Sequence, residues 1–185
     1  DRPAIGFDNR AAMAELAREV LARGHRRIGV ISGIVEGNDR AADRLKGLKD
    51  AVQAQGLDPA DLLEIQTPYG IETAERAMET LMQAAPRPTV VMCGNDVLAA
   101  GALRAARLMG LSVPQDVSVT GFDDIELARI VTPALTTVHL PHRDMGTKAA
   151  TALIALVEGA LEVPAAVKLD TVVTLRDSLG PVPAD

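Results

Sequence analysis

The chain has no tryptophan, one cysteine, one tyrosine and two phenylalanines among its 185 residues. A single cysteine allows no internal disulfide, which fits a reducing compartment. With so few rings, any aromatic surface for a ligand has to come from Tyr69, Phe122 or Phe7. An excess of positive charge is also missing: 19 Lys and Arg stand against 25 Asp and Glu, a formal net charge of -6. Binding a phosphate backbone needs a clustered basic surface, so this segment is not expected to hold nucleic acid itself. No apolar run approaches the ~20 residues of a membrane-spanning helix, and Asp1 opens no charged and apolar leader. The expected location is therefore cytoplasmic, with no membrane partner. The sequence has no P-loop, no dinucleotide glycine fingerprint, no nucleophile elbow and no internal repeat.

What is present is an alternation of short β-branched runs with helical patterns of 13 to 16 residues. Strands are expected over Pro3–Phe7, Ile28–Ile31, Leu62–Gln66, Thr89–Cys93, Val117–Gly121 and Thr136–His139, with a last one over Val167–Leu175. Helices are expected over Arg10–Arg23, Arg40–Gln55, Ile71–Gln83, Val97–Met109 and His142–Glu158, several of them followed by a stop glycine. Ile125 to Ile130 is a short helical or irregular piece. This alternation implies βαβ units and a parallel sheet, an α/β fold.

In such sheets ligands bind beyond the carboxyl ends of the strands, and the polar residues gather there. Asp123 follows the Val117 strand, and its carboxylate can accept two hydrogen bonds from ligand hydroxyls. Asp124 better suits the cap of the short helix that follows. Asn95 ends the Thr89 strand and offers both donor and acceptor, although it could equally cap the next helix. Arg40 and Arg44 share one helix face beside the second strand's carboxyl edge, and a guanidinium presents planar forked donors to hydroxyl pairs or carboxylates. Asn38 lies on the loop before them. Tyr69, in Pro-Tyr-Gly, is either a stacking residue or a turn residue, and Phe122 is the other ring placed near the cleft. His139 and His142 straddle Pro141 without a third ligand, so no metal is expected, nor any other cofactor. Cys93 reads as a small buried residue rather than a nucleophile. Adjacent Asp123 and Asp124 rarely aim two carboxyls at one bond, which disfavours a glycosidase, and no enzyme is expected.

The strings GHRRIGVISG (Gly24–Gly33), CGNDVLAAGAL (Cys93–Leu103), VPQDVSVTGFDD (Val113–Asp124) and TPALTTVHLP (Thr132–Pro141), in that order, closely resemble the ligand-binding core of LacI/GalR-type transcription regulators. The resemblance implies a periplasmic-binding-protein-like fold of two α/β lobes crossed three times by the chain. It places residues 25–139 and 165–185 in one nearly complete lobe and residues 1–24 and 140–164 as pieces of a second. The helices Arg10–Arg23 and His142–Glu158 are then expected to carry apolar stripes with no complete sheet to cover. Roughly 150 further residues upstream, with a helix-turn-helix, are expected in the full protein. By the same resemblance Asp123, Asn95 and Arg44 contact the effector, Asn38 and Arg40 tune its identity, Asp8 and Asn9 line the cleft or cap a helix, and His142 faces the cleft. The implied effector is sugar or purine-like, the implied assembly a homodimer through Val97–Met109 and Ile125–Val131, and the implied partner operator DNA, bound through the absent head. The rival is an exported solute-binding protein of the same fold.

Overall fold

A computed structural model describes residues 4–159 and 166–183. Residues 160–165, which include the end of the expected 140–164 segment and the start of 165–185, lie outside the described residues, as do residues 1–3 and 184–185.

The chain begins with β1 (Ala4–Gly6) and α1 (Asn9–Ala22), then runs through β2 (Ile28–Gly33), α2 (Asp39–Ala54), β3 (Leu63–Thr67), α3 (Ile71–Met82), β4 (Val90–Cys93), α4 (Asp96–Leu108) and β5 (Ser118–Thr120). It continues with α5 (Leu127–Ile130), β6 (Thr137–His139), α6 (His142–Val157), β7 (Ala166–Lys168) and β8 (Val172–Thr174). Four parallel strands form a sheet in the order β3-β2-β4-β5. A parallel bridge from Thr120 to Thr136 carries the sheet on to the antiparallel pair β6-β8.

Every residue of β2 and β4 is buried, as expected for parallel strands covered on both faces. Their side chains alternate between two cores. Val30, Val90 and Met92 face α1 and α2, whereas Ile31, Val91 and Cys93 face α3 and α4. Each helix pair approaches closely at a glycine. A Cβ at Gly47 of α2 would lie 2.1 Å from the Arg10 carbonyl oxygen, and one at Gly101 of α4 would lie 2.5 Å from that of Ile71.

The structure corrects two expectations. First, α1 is not left bare beside a second lobe: Met13, Leu16, Ala17 and Val20 are buried in one core with Leu48, Val52, Phe122 and Val138 of the main sheet and its helices. The stripe is covered by α2 and β6, elements from later in the chain. Second, the single last strand over Val167–Leu175 is two strands. β7 pairs in parallel with β1, and after the Leu169 amide donates to the Gly6 carbonyl at 2.7 Å the chain leaves that pair for β6. Only α6, among the described helices of eight residues or more, has no buried residue; Leu153 is 62% exposed on it.

The tail beyond β8 closes the main sheet. Ser178 Oγ donates to the Val119 carbonyl at 2.6 Å and accepts the Thr136 amide at 2.8 Å, joining β5 to the start of β6. His25, fully buried, sits between Thr89 Oγ1 at 2.9 Å and the Gly180 carbonyl at 3.2 Å. Burial holds its pKa below the usual histidine value. No described helix is long and apolar enough to cross a membrane.

Candidate functional site

The carboxyl ends of β2, β3, β4 and β5 open onto one rim. Asn38, Arg40, Arg44, Tyr69, Asn95 and Asp123 together line a concavity of about 240 Å³ there, open to solvent. Six of the nine candidate residues thus meet at one place, from four segments: the start of α2, the loop before α3, the cap of α4 and the turn after β5.

Arg44 is the centre of this surface. It is 9% exposed, and each side of its guanidinium is engaged. Nε donates to Asn9 Oδ1 at 2.8 Å, Nη1 to the Gly94 carbonyl at 2.7 Å, and Nη2 pairs with Asp123 Oδ1 at 3.1 Å. The guanidinium carbon lies 3.9 Å from the centre of the Phe122 ring, a cation–π contact that favours its charge in a dry setting. Burial still draws the Arg44 pKa down, opposed chiefly by the Asp123 charge. Burial raises the Asp123 pKa, with Arg44 and then His142 pulling it back. Each member of the pair therefore favours the other's charged form against the cost of burial.

Asp123 and Asp124 have φ of 110° and 51°, left-handed values that cost energy for residues other than glycine. The turn is pinned by the Asp123 amide, which donates to the Val138 carbonyl at 3.1 Å. A second anchor is Asp96, buried at the first position of α4. It accepts Thr137 Oγ1 at 2.6 Å and the Ile125 amide at 2.9 Å. Desolvation pushes its pKa up to about 6. Gly121 makes room for it, since a Cβ there would lie 2.2 Å from Asp96 Oδ1.

Asn95 caps and lines at once. Its Oδ1 accepts the Leu98 amide at 2.9 Å, and its NH₂ makes no hydrogen bond among the described residues. Asn38 does the same for α2: Oδ1 accepts the Ala41 amide at 3.2 Å, while Nδ2 donates to Tyr69 Oη at 3.4 Å. Tyr69, 48% exposed, lays its hydroxyl against Gly33, where a Cβ would lie 2.3 Å away.

The remaining candidates sit elsewhere. Phe122 is 0% exposed and cannot present a face to a ligand; its ring belongs to the core and supports Arg44 from below. Asp8 caps α1 through the Ala11 amide at 3.0 Å and pairs with Lys168 at 2.9 Å, and both contacts hold its pKa low. His142 opens α6, exposed, where it acts on Asp123 only through its charge. Asp124, expected as a helix cap, makes none. Its side chain is buried and accepts Arg176 Nη2 at 2.5 Å and His139 Nδ1 at 2.9 Å, with Arg129 at 3.7 Å. Burial opposes its charge, but these cations keep its pKa below the usual carboxylate value. Two residues that the sequence reading left without these roles are Asn9, which aims Arg44, and Arg176, which neutralises Asp124. Both pairings join residues 35 or more positions apart.

This arrangement offers hydrogen bonds of both polarities to a polar molecule but no reacting pair. The Asp123 and Asp124 carboxylates diverge onto different cations. The Cys93 thiol is buried and its pKa raised, so it is not a thiolate. Among the described residues no cluster of three or more His, Cys, Asp or Glu is arranged to hold a metal ion.

The family model described as the periplasmic binding protein-like domain matches residues 17–179. The chain is 40% identical over 152 residues to the HTH-type transcriptional repressor PurR of Escherichia coli O1:K1 / APEC, covering 82% of this chain and 44% of that protein. Among solved structures, a transcriptional regulator CelR–cellobiose complex superposes with a TM-score of 0.84 at 29% identity, over 96% of this chain and 54% of that one. A LacI family regulator from Enterococcus faecium with bound ribose shares the fold, with a TM-score of 0.90 at 23% identity over 97% of this chain and 65% of that one. The chain spans about half the length of the curated relatives it matches.

Proposed function

The chain belongs to the periplasmic binding protein-like domain family, and from that premise we propose that it is the effector-sensing core of a LacI-type repressor. The observation that carries this reading is the convergence of Asn38, Arg40, Arg44, Tyr69, Asn95 and Asp123 on one concavity at the strand ends. The effector is a small polar molecule, a sugar or purine-like compound, held by Asp123, Arg44 and the Asn95 amide. α1 to β6 and β8 form one lobe, and β1, α6 and β7 belong to a second. Effector bound between the lobes changes the affinity of a DNA-binding domain for its operator, by differential affinity for two lobe arrangements. The protein works in the cytoplasm without catalysing a reaction.

Two copies assemble through α4 and α5. A concavity of about 380 Å³ on that face is lined by Ile71, Leu103, Leu127 and Ile130 beside Arg104 and Arg107, and Ile130 is 76% exposed. Apolar surface of this kind marks an association site. Sedimentation equilibrium of the full-length protein reads a dimer, and Ile130→Glu shifts it to monomer.

The test of sensing is thermal-shift screening of the full-length protein against monosaccharides, disaccharides, nucleosides and purines, since a ligand of the folded state raises the midpoint. A hit that Asp123→Asn lowers at least tenfold in affinity, and that alters binding to an operator fragment, bears the reading out. A folded protein that responds to none of these defeats it.

A further inference from the structure

The charges around the cleft do not balance. Of the groups lining it, Arg44 and Asp123 neutralise each other at 3.1 Å, and Arg40 is left over. Of the carboxylates nearby, none makes an ion pair with its guanidinium. Asp39 Oδ1 accepts the Arg40 backbone amide rather than its guanidinium. Asp43, further along α2, acts on Arg10. Asp8 is held by Lys168, Asp124 by Arg176 and His139, and Asp96 by Thr137 and the Ile125 amide. Among the described residues no carboxylate pairs with the Arg40 guanidinium, which stands exposed on the cleft rim four residues before Arg44.

The surrounding backbone has the same polarity. α2, α3 and α4 all begin at this rim, at the caps Asn38, Gly70 and Asn95, so the positive ends of three helices face it. Gly70 supplies no side-chain acceptor, so the first amides of α3 have no side-chain cap. His142, at the start of α6, acts on Asp123 through its charge. A neutral polyol or a neutral base would leave this excess of positive potential without a counter-charge.

We propose that the effector is an anion: a polar, hydroxyl- or amide-bearing molecule whose phosphate or carboxylate group pairs with Arg40 at the rim while its neutral part meets Arg44, Asp123 and Asn95. This rests on the reading of the cleft as an effector site, and it narrows the effector class to phosphorylated or acidic sugars and nucleotides. Arg40 is then a specificity-determining residue, and Arg44 is a fixed part of the wall. A guanidinium suits both anions, since its forked donors match phosphate and carboxylate alike.

The experiment compares matched pairs on the full-length protein by calorimetry: glucose with glucose 6-phosphate and gluconate, ribose with ribose 5-phosphate, and hypoxanthine with its nucleoside monophosphate. Inorganic phosphate alone serves as the anion control. The charged member of one pair is expected to bind about ten- to a hundredfold more tightly than its neutral partner, the range of one charge-assisted contact. Its affinity should fall as salt is raised, while that of the neutral partner should not. Arg40→Gln should lower the charged member's affinity far more than the neutral partner's, with the unliganded melting midpoint unchanged, and Arg40→Lys should restore part of the advantage. Whether the phosphate or the carboxylate arm responds names the anion. Equal binding of charged and neutral members, tight binding of inorganic phosphate without the organic part, or an Arg40→Gln variant that keeps the preference overturns the proposal while the effector site stands. No binding by any member overturns the effector site and this inference together.

Discussion

α1 and α6 read alike as amphipathic helices, yet α1 buries Met13, Leu16, Val20 and Leu21 while α6 buries nothing. The difference lies in what the chain supplies around them. α1 lies under α2, whose Gly47 allows backbone-to-backbone approach, and against β6 and the Phe122 ring. Among the described elements, α6 packs mainly on β1, one strand of the two-stranded β1-β7 pair. An apolar stripe shows that a helix needs a partner surface; where that surface comes from is a matter of topology.

The comparison is broken most strongly by paired truncations. Leu16→Ala, at a position 0% exposed, should cost about 3–5 kcal/mol in urea unfolding, whereas Leu153→Ala on α6 should stay within about 0.5 kcal/mol in this chain. If Leu153→Ala in the full-length protein costs about 2 kcal/mol or more, α6 is covered there. A similar cost in the isolated chain would mean that α6 already has a partner.

A smaller contrast comes from two glycines. Gly47→Ala places a Cβ against the Arg10 carbonyl and should destabilise by about 1–3 kcal/mol through overpacking. A Cβ at Gly146 on α6 meets nothing within 4 Å, and Gly146→Ala should stabilise by about 0.5–1 kcal/mol through helix propensity alone. Denaturation midpoints that move in the same direction for both would erase the distinction.

A further contrast is in pH dependence, and it separates two buried groups beside the main sheet. The folded-state pKa of His25 lies below its unfolded value near 6.5. Its contribution is therefore intact above that pH and lost as pH falls below it, because the unfolded chain takes up the proton first. Asp96 runs the other way. Its pKa of about 6 in the fold exceeds an unfolded value of about 3.9, so its contribution is present at low pH and is lost as pH rises from about 4 to 6. Asp96→Asn should therefore steepen the rise of stability across that window by on the order of 2 kcal/mol, read from urea midpoints at successive pH values. An unchanged profile would mean that Asp96 is not strained by its burial.

Local signals account for what the sequence made legible. Asn95 and Asp123 follow strand ends and Arg44 lies in the second turn of the helix after β2, so the alternation of short β-branched runs and helices is enough to bring them to one rim. What escaped depended on pairs distant in sequence. Asp124 looks like a cap until Arg176, 52 positions away, is seen to hold it. Phe122 looks like a ligand platform until its full burial beneath Arg44 is known. The break between β7 and β8 has no glycine or proline to mark it; it exists because β1 and β6 claim successive halves of one alternating stretch.

The Ser178 clamp has a consequence for biosynthesis. Its hydroxyl joins Val119 to Thr136 from 59 and 42 positions downstream, so while the chain emerges from a ribosome the β5 margin waits, without that closure, for a segment still to be made. Such an open edge invites pairing with other chains. The nascent lobe therefore passes through an interval in which a chaperone, or its neighbour on the same message, can reach β5 before its own tail does.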